Sequence, residues 1–91
     1  YEAILLAACP PGARRDIYLL QTQPGADRIS QPHSPGSVEH IIVTQGRAIV
    51  GPLDAPEELG EGDYISYPAD QLHIFKALEP DTCALLVAEQ N

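Results

Sequence analysis

Apolar residues along this chain arrive in short runs, each cut off by glycine, proline or a polar cluster. Glu2 to Cys9 is almost wholly apolar and stops at Pro10-Pro11-Gly12, the pattern of a buried strand followed by a hard break. Asp16 to Gln23 is rich in strand formers and ends at Pro24-Gly25. Val38 to Thr44 is strongly β-branched, and Gln45-Gly46 then turns the chain into a short strand from Arg47 to Gly51. Asp63 to Tyr67 is a strand closed by Pro68, and Leu72 to Leu78 is another, closed by Glu79-Pro80-Asp81. Thr82 to Glu89 is the last and is nearly all apolar. Between these runs, Ala26 to Gly36 reads as a loop and Pro52 to Gly60 as a polar, acidic connection. No window carries a helical period. Short strands at this spacing predict a closed all-β domain, a barrel or jelly roll.

Alternation along the strands decides which side chains share a face. Glu39, Ile41 and Val43 point one way, and His40, Ile42 and Thr44 the other. His73, Phe75 and Ala77 likewise share a face. If Ile41, Val43 and Phe75 line the interior, Glu39 and His73 point inward too. A carboxylate and an imidazole in an apolar interior need a partner, which is either each other or a divalent metal. His33, in the loop six residues before Glu39, is placed to close over the same pocket. Tyr64 and Tyr67 flank the later strand. One of them is expected to face the cavity, with packing as the competing role. His40 faces away from Glu39 and reads as a surface or interface histidine. Arg47 reads as solvated, and Asp63 as a turn residue that bonds backbone amides. Gly36, Gly46 and Gly62 read as turn requirements.

Composition narrows the picture. The 91 residues make one domain, 1–91, with a core that must be efficient or shared with a second subunit. Thirteen acids against 5 bases give a net charge of −8, which repels phosphate and makes this segment alone a poor candidate for DNA or RNA binding. No run is long enough to span a bilayer, so no membrane partner is expected. The chain lacks methionine even at position 1, and is therefore expected to be a processed product or an excised part of a longer chain. Cys9 and Cys83 lie in apolar runs without metal-binding spacing and read as small buried hydrophobes in a reducing cytoplasm, with a disulfide left open.

Two stretches then point to a family. Glu39, the six residues His40 to Gln45, and Gly46 fit half of one motif, and His33 falls on its first histidine position. Gly62, Pro68 and His73 fit a second motif. Together they resemble the cupin superfamily, which implies a single-domain cupin-type β-barrel, or double-stranded jelly roll. Pro35 stands where the resemblance calls for a second histidine, Asp70 where a glycine is usual, and Ala77 where an asparagine is usual. Cupin metal sites commonly use three histidines and one glutamate. Here the resemblance leaves His33, Glu39 and His73, still a competent set for zinc, iron or manganese with water in the open positions. The competing reading is a metal-free pocket in which Glu39 and His73 bind a small polar ligand or each other; the ligand pocket is expected to be lined by His33, Glu39, Tyr64, Tyr67, His73 and Phe75.

The run His33 to His40, with Gly62 to His73, looks like the C-terminal cupin of bacterial transcriptional regulators whose N-terminal helix-turn-helix domain, of the XRE type, binds DNA. That resemblance implies a homodimeric domain that senses a small-molecule effector, with DNA contacted only through a domain upstream. Two other functions are carried beside it. One is a small metal-dependent enzyme, an oxygenase or isomerase, using His33, Glu39 and His73. The other is a barrel that only dimerises, its pocket vestigial.

Overall fold

A computed structural model describes residues 5, 7, 8 and 10–90. The strand expected over Glu2 to Cys9 falls outside the described residues except for Leu5, Ala7 and Ala8. Eight strands follow: β1 (Arg14–Thr22), β2 (Arg28–Ser30), β3 (Val38–Gln45), β4 (Ala48–Pro52), β5 (Glu57–Leu59), β6 (Tyr64–Pro68), β7 (His73–Ala77) and β8 (Thr82–Gln90). They form two antiparallel sheets, β1-β8-β3-β6 and β2-β7-β4-β5, packed as a jelly-roll barrel with no helix among the described residues. None of the described residues lies in a helix long and apolar enough to cross a membrane.

Alternation works as the pattern predicts. In β3 the residues Glu39, Ile41 and Val43 are buried, with their neighbours more open, and in β7 the buried set is His73, Phe75 and Ala77. Ile41, Val43, Ala48, Val50, Leu59, Tyr67, Phe75 and Ala84 form one core between the sheets. This core fills part of the interior and leaves a cavity beside it. The remaining space lies at the end where Glu39 and His73 enter.

Two strands depart from the sequence reading. The stretch expected to be loop holds β2, whose Arg28, Ile29 and Ser30 pair with Phe75, Ile74 and His73. The connection expected over Pro52 to Gly60 holds β5, paired with β4 through Ala48↔Leu59 and Val50↔Glu57. Each is three residues long and carries no alternation of its own. Both exist because a neighbouring strand offers its edge, which is context rather than propensity.

Close to the turn after β3, Gly46 adopts a φ of 83°, and a Cβ there would overlap Thr82 Oγ1. Thr82 is fully buried and donates to the carbonyls of Glu79 (2.8 Å) and Arg47 (3.3 Å). Gly46 is therefore required both by backbone conformation and by close approach. Asp63 accepts from the Gly60 amide at 2.8 Å, the turn role its position suggested. Arg47 is exposed but not merely solvated: it forms two hydrogen bonds to Glu58, which hold its guanidinium above its ordinary pKa.

Candidate metal centre and ligand cavity

Glu39 and Tyr67 are direct partners in the β3–β6 ladder, so their side chains leave the same face side by side. The Tyr67 hydroxyl donates to Glu39 Oε1 at 2.6 Å. Burial, then this bond and the carboxylate's charge, push the Tyr67 phenol far above its ordinary pKa, so it remains a neutral donor. The other carboxylate oxygen faces two imidazoles: Glu39 Oε2 lies 3.5 Å from His73 Nε2 and 3.9 Å from His33 Nε2. The Glu39 and His73 side chains are each 5% exposed, and that of His33 is 37% exposed at the mouth. The two imidazoles meet edge-on with centroids 5.1 Å apart.

A backbone carbonyl fixes the orientation of His73. Its Nδ1 lies 2.8 Å from the Gln71 carbonyl, which can only accept, so Nδ1 carries the proton. A neutral His73 then aims its Nε2 lone pair at a carboxylate oxygen. That opposition is relieved by a second proton or by a cation between them. One donor atom from each of His33, Glu39 and His73 lies within 4.8 Å of the others. The donor set, its burial and the fixed tautomer together fit a divalent ion.

His33 is held by backbone contacts between the two motif segments. The His33 amide donates to the Ala69 carbonyl, and the Ala69 amide to the Ser37 carbonyl, each at 2.8 Å. The Asp70 carboxylate accepts from the Gly36 amide at 3.0 Å. The departure from glycine at position 70 thus supplies a tie across the site. Pro35 and Gly36, with Gly36 at φ 82°, occupy the centre of a turn closed by the Ser37 amide donating to the Ser34 carbonyl at 3.1 Å. Pro35 supplies turn geometry where the family's second histidine would supply a ligand.

A cavity of about 250 Å³ extends from this centre to the surface. The structure brings His33, Glu39, Tyr67, His73 and Phe75 together along it, with Glu39 buried. Tyr64 does not belong to it, which corrects its inclusion in the candidate pocket. Tyr67 is an odd number of positions, three, after Tyr64, so the two leave opposite faces of β6. The Tyr64 hydroxyl sits 2.7 Å from His40 Nδ1 on the outside of the sheet. His40 is on that outer face, as alternation required. Sequence reasoning missed Asp16, Tyr18, Arg28 and Ser30, which also line the cavity. Alternation along β1 carried the signal for Asp16 and Tyr18. Arg28 and Ser30 had none, since β2 was unrecognised. Cys83 is half-buried with a free thiol, and Cys9 lies outside the described residues.

The sequence pattern of the cupin domain family, Cupin_2, matches residues 18–89, and the chain belongs to that family. Among curated proteins, none matches this chain. Solved structures agree on the fold. An HTH_3 family transcriptional regulator from Vibrio cholerae matches at a TM-score of 0.80 and 23% identity, over 85% of this chain and 43% of its own. The Cupin_2 domain of an XRE family transcriptional regulator from Enterobacter cloacae matches at 0.74 and 19% identity, over 85% of this chain and 81% of its own. A sugar phosphate isomerase of the cupin superfamily from Silicibacter pomeroyi matches at 0.63 and 22%, over 85% and 50%. At these identities the likeness is one of fold. This chain spans less than half the length of the Vibrio regulator it matches.

Proposed function

We propose that this cupin is the small-molecule-sensing and dimerising domain of a bacterial transcriptional regulator whose helix-turn-helix lies upstream in the full protein. The observation that carries this reading is a cavity joining a buried polar centre to β1 and β2, the edge strands of the two sheets among the described residues. A ligand that enters there touches both sheets at once, and can favour one arrangement of the sheets over another. The likeness to cupin domains of XRE and HTH_3 regulators supports the regulatory role. Dimerisation is supported by the outer face of the β1-β8-β3-β6 sheet, where Ile17 is 72% exposed and Leu19 63%. Such patches mark interaction surfaces in soluble proteins. DNA is contacted only by the upstream domain, and the setting is cytoplasmic. Reading the coding sequence upstream of Tyr1 tests the proposal: a helix-turn-helix segment is expected, and a start codon close by would end it.

A second reading, a metal-dependent oxygenase or isomerase, is favoured by the His33, Glu39 and His73 donor set. In either reading these three residues would hold a zinc, iron or manganese ion. That ion would supply a Lewis acid facing the cavity. The protein's own part is to hold Glu39 through Tyr67, orient His73 through the Gln71 carbonyl, and close His33 over the mouth. Metal analysis of protein purified without chelator, with His73→Ala as control, separates the readings. Turnover with stoichiometric metal favours the enzyme, and metal without turnover leaves the sensor.

A further inference from the structure

We propose that the cavity takes a small hydroxylated monocarboxylic acid, with the carboxylate on Arg28 and hydroxyl groups directed toward Glu39, Asp16 and the imidazoles. The biological meaning of this ligand rests on the sensing function proposed above, but its chemistry follows from the cavity walls. Arg28 is the one guanidinium among the lining residues. In the β2–β7 ladder it stands opposite Phe75, whose side chain is buried in the core, so Arg28 leaves the same inner face. The chain has 5 bases against 13 acids, and Arg15 and Arg47 are each paired with a glutamate. Among the described residues, Arg28 has no carboxylate in ion-pair contact. A cation that faces a cavity unpaired, in so acidic a protein, is placed to receive an anion.

The other end offers acceptors for hydroxyl groups, while Arg28 alone among the lining guanidinium and ammonium groups receives a carboxylate. Glu39, Ala88 and Asp16 lie level with one another across β3, β8 and β1. Glu39 lines the buried end of the cavity and Asp16 its wall on the exposed strand β1, so a hydroxyl group in the cavity meets carboxylate oxygens able to accept from it. Ser30, opposite His73, is two residues along β2 from Arg28. Strand rise puts roughly 7 Å between these two levels, which suits a short carbon chain bearing a carboxylate at one end. Tyr18 and Phe75 supply apolar flanks for that chain. The volume, about 250 Å³, is below the roughly 300–1,000 Å³ usual for drug-sized ligands. That limits the ligand to a few carbons.

Calorimetric titration with both enantiomers of glycerate and threonate tests the assignment, with the amides of the same acids and erythritol as neutral comparisons. At least one acid is expected to bind, with its amide and erythritol at least tenfold weaker. Arg28→Gln should lower acid affinity roughly ten- to hundred-fold, as loss of a charge-assisted contact does. Its unfolding midpoint should stay at the wild-type value, because Arg28 is exposed and unpaired. Arg47→Gln, outside the cavity, should bind as wild type does. Equal binding of acid and amide, undiminished binding by Arg28→Gln, or no acid bound at millimolar concentration would each overturn the proposal. An acid that binds the full-length protein without changing its DNA affinity would overturn sensing and leave this assignment standing. A neutral compound that binds in place of the acids and changes DNA affinity would do the reverse.

Discussion

Single side chains at this site are set by their cross-strand neighbours. Tyr67 stands directly opposite Glu39, and its hydroxyl is the only hydrogen-bond donor to that carboxylate among the described side chains. Tyr67→Phe keeps the ring in place and removes that donor, leaving a buried charged oxygen without its partner. A destabilisation of about 1.5–3 kcal/mol is expected from urea unfolding. A variant as stable as wild type would mean that another group already satisfies Glu39. Gly46 makes a contrasting case, since its constraint is steric. Gly46→Ala must place a Cβ at positive φ and against Thr82, a combined cost of about 1–3 kcal/mol. Thr82→Ala in the same chain should recover the part due to overlap and leave the part due to φ. Full recovery in the double variant would show that the backbone conformation costs nothing.

Strands and loops assign the work differently. β3 and β7 deliver Glu39 and His73 through rigid ladders, whereas His33 depends on a loop fastened by Ala69, Ser37 and the Asp70–Gly36 bond. Asp70→Ala should therefore weaken zinc binding up to about tenfold while leaving the unfolding midpoint nearly unchanged. His33→Ala sets the lower limit of affinity, and an Asp70→Ala affinity equal to wild type would show that the backbone bonds suffice. Legibility follows the same division. The inward set Glu39, Ile41, His73 and Phe75 could be read because β-branched runs with clean alternation announce their faces. Only one of Tyr64 and Tyr67 can face inward, and which one is decided by the pairing of β6 with β3, where Tyr67 stands opposite Glu39, a register no local pattern records. β2 and β5 were invisible because three residues carry no period, and with β2 went Arg28 and Ser30. The tie made by Asp70 joins residues 34 positions apart, which no local pattern records.

At the scale of the whole molecule, the two faces of the β1-β8-β3-β6 sheet have separate tasks. The inner face holds the cavity. The outer face is an apolar field of Ile17, Ile42, Leu85 and Val87, bounded at one end by Arg15, Glu89, His40 and Tyr64. Arg15 binds Glu89 through two hydrogen bonds of 2.7 and 3.0 Å. That contact, assisted by His40, holds the Glu89 carboxyl below its usual range. A carboxyl depressed in the folded state adds stability above its unfolded pKa, near 4.3, and loses it as pH falls through the lower folded value. The stability difference between wild type and Arg15→Gln should thus be present at pH 7 and shrink below about pH 4. An undiminished difference in acid would assign the effect to packing of the arginine stem. The same face carries the proposed dimer. Ile17 and Leu85 lie on neighbouring strands and are exposed, so Ile17→Glu with Leu85→Glu places two carboxylates in its centre without touching the cavity wall. Sedimentation equilibrium should find wild type dimeric and the double variant monomeric, with the acid binding of the inner face retained. A monomeric wild type, or a double variant that still dimerises, would move the interface elsewhere. Retained binding in a monomer would further show that each barrel forms its cavity alone, and that the partner serves the coupling between barrels rather than the site.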